Sequence, residues 1–253
     1  MLGIAIGVTA LITVLSVMNG FNKEIRAKML NITPHVVLRS MSGPLQAWQN
    51  LMPQVLAEPG VVSAAPYIFS QGLLVANGVV QPSIVRGVDP KQLNEIYPLE
   101  ANVIAGELSA LNDGSFNVAL GTSLAQSLGL NLHDKVTLLI PDASSTIAGV
   151  TPKFKRLTVA AIFRTGTAYD DRNGFINICD ADRLFKMHGG VTGIQMRLAD
   201  ELNAPQIVAS LHEKLGQRYW ITDWSTEYSS FFEALKMEKM VMWCILCLII
   251  AVA

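Results

Sequence analysis

The chain has 253 residues, a formal net charge of −1, 51% hydrophobic residues and only 15% charged ones. That balance is too apolar for an ordinary soluble domain, and the lack of a basic excess argues against a nucleic-acid partner. The apolar excess sits at the two ends, residues 1–18 and 240–253, around a centre of normal polarity.

At the first end no charge precedes Lys23. As a helix, these roughly 22 uncharged residues reach about 30 Å, the thickness of a bilayer core. A signal peptide would need a basic stretch before the apolar run and a small-residue cleavage site after it. Here the run begins at Leu2 and ends in Met18-Asn19-Gly20-Phe21. Phe21, Ile25 and Met29 then recur at helical spacing, while Lys23, Glu24, Arg26 and Lys28 face elsewhere. Residues 1–32 are predicted as a first transmembrane helix and an amphipathic stalk. Gly3 and Gly7 make a small-residue pair suited to a helix contact.

Next come "HVVLR" (35–39), a helical "LQAWQNLMPQVLAEP" (45–59) and "VVSAAPYIF" (61–69), a β-α-β unit. Asn77-Gly78 between "GLLVA" and "VVQPSIV" is a hairpin signal. Residues 91–190 read as an inserted, mostly-β subdomain with strands at "NVALG", "KVTLLI", "RLTVAAIF" and "GFINI" and helices at "SLAQSLG" and "DADRLFKM". A second β-α-β unit follows: "GIQMRL" (193–198), a helix over 205–215 and "YWIT" (219–222). The expected class is α+β. Residues 33–90 and 191–223 form a split ferredoxin-like subdomain that carries 91–190 as an insert.

Within the insert, "PDASSTIAGVTPK" (141–153) is bracketed by two prolines and lacks apolar periodicity. The strands on either side would pair as a hairpin, for which a turn of two to five residues suffices, and loops this long are often functional. It reads either as a solvated insertion or as a protruding docking arm, with Lys153, Lys155 and Arg156 as a positive footing. Residues 224–253 form a second stalk, in which Phe231, Phe232, Leu235 and Met237 lie among charges, followed by "MVMWCILCLIIAVA". As a helix, residues 240–253 reach only about 21 Å, so the expectation is a fragment cut inside a second span.

Catalytic motifs are absent from the sequence. There is no phosphate-binding G-x-x-x-x-G-K-[ST] loop, and "HEKLG" (212–216) lacks the second histidine of a zinc helix. His35, His133 and His188 are scattered. "GTSLA" (121–125) lacks the final glycine of a nucleophile elbow, leaving Ser123 as a helix cap. Asp170-Asp171 beside Arg172 reads as a charged turn. Cys179 stands alone in the central region, and Cys244 and Cys247 lie in the second apolar run. A lone thiol builds no intramolecular disulfide, and Cys-x-x-Cys inside a span is a weak redox signal.

The run "VLSVMNGF" (14–21), the Pro34-His35 pair, "VRGVDP" (85–90), the bracketed loop and "ALKMEK" (234–239) together resemble the LolC/LolE family of lipoprotein-releasing ABC transporter membrane subunits. The closer likeness is to the LolC type, while "TPHVV" with His35 is more like the LolE type, which leaves a combined LolF-type subunit as the variant. One departure is Thr137, where the LolC pattern places a basic residue.

The resemblance implies a MacB-like periplasmic architecture flanked by transmembrane α-helices. It places the chain in the bacterial inner membrane as a multi-pass protein with its central domain in the periplasm. The implied function is extraction of lipoproteins from the outer leaflet and transfer to a LolA-like carrier through a hook loop. The hook residues would be Pro141, Ser144, Ser145, Ile147, Gly149, Val150 and Pro152. Val14, Met18, Phe21, Met237, Met240 and Val241 would line an acyl-chain groove, where flexible methionines suit variable chains. Partners would be a LolD-like ABC ATPase, a LolE-like sister or a second copy, and acylated cargo. No cofactor is expected on this non-catalytic subunit, because ATP is used by the ATPase. Alternatives are a MacB-type efflux subunit and an FtsX-like signalling subunit.

Overall fold

The structure, a computed structural model, describes residues 33–140 and 153–227 throughout, with helical positions between Thr9 and Leu30 and between Glu233 and Leu248. The hook residues 141–152 and most of both apolar ends lie outside the described residues. Among the described residues no helix is long and apolar enough to cross a membrane.

The two β-α-β units share one antiparallel sheet. Strands β1 (Val36–Ser40), β2 (Val61–Ala76), β9 (Gly193–Leu198) and β10 (Tyr219–Asp223) pair in the order β10-β1-β9-β2. Numbered within this unit the order is 4-1-3-2, a split β-α-β arrangement. Strand alternation sorts its side chains. Val36, Leu38, Ala64, Ile194, Met196 and Ile221 belong to the main core, together with Val55 of helix α1 (Met52–Leu56) and Ile207 and Leu211 of a longer helix, Ala204–Leu215. On the opposite face, Ala65 joins a second core with Leu93 and Ile96 of helix α2 (Pro90–Ile96).

The helix expected over 45–59 is shorter. Leu45 bridges Val191 instead, Ala47 turns with φ +50°, a 3₁₀ turn covers Trp48–Asn50, and α1 starts around Pro53. Proline is pre-organised for a first helical turn and cannot sit in a helix interior without losing a hydrogen bond, which favours the late start.

Strand β2 continues past this sheet and helps close a barrel. It pairs with β3 (Val79–Val88) and β6 (Lys135–Ile140). Strand β3 pairs with β8 (Asn173–Asn177), β8 with β5 (Asn117–Gly121), β5 with β7 (Lys153–Phe163), and β7 returns to β6. The ring β2-β3-β8-β5-β7-β6 therefore closes on itself, while β4 (Val103–Gly106) pairs with β7 beyond the end of β6. Leu74, Val85, Val118, Leu120, Val136, Leu138, Leu157 and Ile176, all buried, supply core along it. Asn77 and Gly78 form the β2–β3 turn with φ of 51° and 76°, the paired left-handed geometry of a two-residue hairpin. Asn77 also donates from Nδ2 to the carbonyls of Leu128 and Gly129, fixing the turn after helix α3 (Thr122–Ser127).

The remaining helices are α4 (Ile178–Phe185), α5 (Ala204–Leu215, the long helix above) and α6 (Trp224–Glu227). Helix α3 begins after Gly121 with no side-chain cap, so Ser123 does not serve as one. Asp170 is a further correction. It is buried and accepts hydrogen bonds from the Thr165 and Gly166 backbone N–H groups and the Thr165 hydroxyl, all at 2.7–2.9 Å. It ties the turn together from inside, while its neighbours Asp171 and Arg172 are exposed.

Candidate functional site

The strands flanking the hook pair over all of β6 and the first six residues of β7. Lys135 faces Thr158, and the register runs to Ile140 opposite Lys153, the last described residues before and after 141–152. The segment thus springs from the two adjoining ends of a barrel hairpin.

Alternation divides the footing between two faces. Lys153 and Lys155 lie opposite Ile140 and Leu138, whose side chains are buried. Lys155 Nζ sits 3.3 Å from the Phe116 ring centroid, a close cation–π contact. Arg156 lies on the opposite, outward face, beside Thr137. The three cations expected as a single footing are therefore split, two toward the barrel rim and one outward.

Arg156 is the direct cross-strand neighbour of Thr137, the position where the sequence motifs led us to expect a basic residue. The outward face of the hairpin thus carries a positive charge from β7 beside Thr137 of β6. The surrounding surface is apolar: Leu139 pairs with Phe154, which is 64% exposed, and Leu73 of β2 neighbours Leu139 on the other side.

On the rim side a cleft of about 280 Å³ opens between the hairpin and helix α4. Lys153 and Lys155 line it from β7, Arg183 and Lys186 from α4 and its C-terminal cap, with Ile140 and Leu184 as apolar wall. Arg183 is partly neutralised, since Nη1 donates to Asp113 at 2.6 Å and to Asp180 at 3.0 Å. Asp180 is fully buried and also accepts from the Gly114 and Phe116 backbone N–H groups. The same turn thereby positions the Phe116 ring beneath Lys155. Sequence reasoning missed Arg183 and Lys186, because only barrel closure brings α4 to the base of the hairpin.

Of the expected acyl-groove residues, Met18 and Phe21 lie outside the described residues. Val14, Met237, Met240 and Val241 are helical and 48–68% exposed, and none joins either core. Among the described residues no group of three or more His, Cys, Asp or Glu side chains is placed to hold a metal ion. Cys179 is exposed, and desolvation together with the charge of Asp113 pushes its thiol pKa up, which disfavours a reactive thiolate.

Comparison with known proteins adds three findings. Residues 1–214 match the model of the MacB-like periplasmic core domain family. The chain is similar to the lipoprotein-releasing system transmembrane protein LolC of Neisseria meningitidis serogroup B, at 39% identity over 99% of this chain and 61% of that protein. It is similar to LolC of Xylella fastidiosa strain Temecula1 (37%, over 99% and 60%) and to LolE of Haemophilus influenzae (26%, over 100% and 62%). The chain spans about three-fifths of the length of these relatives. Among solved structures, the periplasmic region of MacB from Actinobacillus actinomycetemcomitans aligns with a TM-score of 0.48 and 14% identity, covering 80% of this chain and 94% of that one. The resemblance to the LolC/LolE family drawn from the sequence motifs is thus borne out.

Proposed function

The chain belongs to the MacB-like periplasmic core domain family, and from that premise we propose that it serves as the membrane subunit of an ABC transporter that releases lipoproteins. Its similarity to LolC proteins of two organisms at 37–39% identity is the observation that carries this reading. In it, residues 1–32 and 224–253 enter the inner membrane, and the described domain stands in the periplasm. ATP is hydrolysed by a separate ATPase subunit. A LolE-like sister or a second copy completes the membrane pair.

Residues 141–153 act as the hook that engages a soluble lipoprotein carrier. Support comes from the hairpin, which pairs up to Ile140 and Lys153 and so anchors both ends of the segment on one closed barrel. A rigid base lowers the entropy lost when an arm docks. Arg156 and Phe154 on the outward face, and the four cations of the rim cleft, supply charge and apolar area beside it. Val14, Met18, Phe21, Met237, Met240 and Val241 receive acyl chains, each buried methylene contributing about 0.8 kcal/mol.

The test is photo-crosslinking from Ser145 and Ile147 in the full-length protein in cells. A crosslink to a soluble lipoprotein carrier, lost when 141–152 is cut to a tight turn, is the expected result. Normal expression with no carrier crosslink, or capture of an outer-membrane channel adaptor in its place, overturns the reading in favour of efflux.

A further inference from the structure

His35 lies where the chain enters the first sheet, with 4% of its surface exposed. Its backbone N–H donates to the Met196 carbonyl at 2.9 Å, and its own carbonyl accepts from the Trp224 N–H at 3.0 Å. On the ring, the Leu198 N–H donates to Nδ1 at 3.1 Å. Nδ1 therefore holds the lone pair, and Nε2–H is left to donate to the Leu30 carbonyl, also at 3.1 Å.

These four contacts reach three separate parts of the molecule. Leu30 is a buried helical position on the chain leading into β1, Leu198 ends β9, and Trp224 opens α6 on the chain leaving β10. The exit side is fixed twice more. Trp224 Nε1–H donates to the Glu201 carbonyl at 2.8 Å, and Asp223 caps α6 by accepting from the Thr226 N–H and hydroxyl. Carbonyls in a helix's last turn lack intrahelical partners and usually bond to water. Here a buried, rigid side chain supplies the donor instead.

We infer that His35 is a positioning residue, a pin whose ring ties the entering helix at Leu30 to β9 and, through its backbone, to the exit helix at Trp224, so that both stalks swing with the sheet as one lever. The use of such a lever rests on the transporter reading; the existence of the joint does not. A stalk transmits force to a domain only if the connection between them is stiff. The pin needs an acceptor and a donor held in one rigid ring, which neutral histidine provides. Glutamine offers a donor near the Nε2 position and asparagine an acceptor near Nδ1, so each keeps one half of the joint.

Protonation would break it, because a charged ring turns Nδ1 into a donor aimed at the Leu198 N–H. The charged groups that act on the ring are Arg197 on β9 and Glu201 in the turn after it. Burial, reinforced by Arg197, outweighs the Leu30 hydrogen bond and Glu201 and holds the ring below its ordinary pKa. It is neutral, and the pin closed, at neutral pH.

The experiment uses the full-length chain in lipid nanodiscs, with its native cysteines, Cys179, Cys244 and Cys247 among them, replaced by serine and spin labels at Gly20→Cys and Val62→Cys. Gly20 has open space around it and Val62 is exposed. At pH 7.5 the wild-type histidine and His35→Gln should give narrow label-to-label distance distributions. His35→Asn, which cannot donate to Leu30, should give one at least twice as broad. On acidification the wild type should broaden while His35→Gln does not. Thermal unfolding of all three keeps a folding defect apart from a loosened joint. A distribution for His35→Asn as narrow as the wild type's overturns the pin, and so does equal broadening in both variants. If the distances behave as expected but the reconstituted wild-type transporter releases no lipoprotein, the pin stands and the transporter reading falls.

Discussion

Ile140 and Lys153 are cross-strand partners at the open end of the β6–β7 hairpin. The barrel therefore needs nothing from residues 141–152 to close, since a two-residue turn joins antiparallel strands in that register. Replacing 141–152 by Asn-Gly should leave the domain as stable as before or more so. Shortening the loop lowers the closure cost by about 1–2 kcal/mol, on a logarithmic dependence on length. Thermal unfolding checks this. The carrier crosslink should vanish in the same variant. A cooperative unfolding lost on deletion would make the segment a structural part of the barrel.

The split footing gives a second pair of expectations. Arg156 is exposed on the outward face, so Arg156→Glu should change stability by less than about 0.5 kcal/mol. It should still weaken carrier binding, most strongly at low salt, because charge on an exposed docking surface acts mainly on the association rate. Lys155→Ala should behave differently, removing the contact over Phe116 at a cost of about 0.5–1 kcal/mol. A carrier titration at two ionic strengths, run beside thermal melts, separates the two roles. Equal effects on binding and melting in both variants would contradict the division by face.

The contrast shows what was legible in the sequence and what was not. Alternation in "KVTLLI" and "KRLTVAAIF" identifies the hairpin, and Asn77-Gly78 identifies the β2–β3 turn, because both signals are local. Which face Lys155 and Arg156 take follows from register, and register follows from Leu138, Ile140 and Leu157 being buried. Long-range closure left no such mark. Nothing local tells that residues 61–76 serve two sheets, or that Arg183 and Lys186 meet Lys153 and Lys155 at one cleft. Asp170 misled for the opposite reason. Aspartate in a polar turn ordinarily faces water, and its burial depends on the backbone folding around it.

Asp170 itself provides a stability test. Its carboxylate takes two backbone N–H groups and a hydroxyl in a buried site, and Asp170→Ala would remove the acceptor of both backbone N–H groups. A loss of about 2–3 kcal/mol is expected. For a domain of roughly 200 residues this lowers Tm by about 5–10 °C. Asp170→Asn retains one acceptor oxygen and should fall between Ala and the parent. A melt unchanged in Asp170→Ala would mean that the turn is held by other contacts.

Glu58 gives the fold a pH dependence on the acid side. It is buried, and its carboxylate accepts from Lys214 Nζ and the Ser210 hydroxyl, both at 2.7 Å. Burial alone would raise its pKa, but the hydrogen bonds from Lys214 and Ser210 and the lysine's charge together bring it below the ordinary value. A carboxylate with a folded pKa below its unfolded one binds fewer protons in the folded state between the two values. Its contribution is thus complete above the unfolded pKa, near 4.5, and is lost as pH falls toward the folded one. Because Lys214 is 57% exposed, solvent screens the pair, and about 1 kcal/mol is the appropriate scale. Glu58→Gln should cost about that much at pH 7 and flatten the stability curve below pH 5. Denaturant unfolding from pH 7 to pH 4 reads both effects. Parallel curves for the parent and Glu58→Gln across that range would show that another carboxylate governs the acid limb.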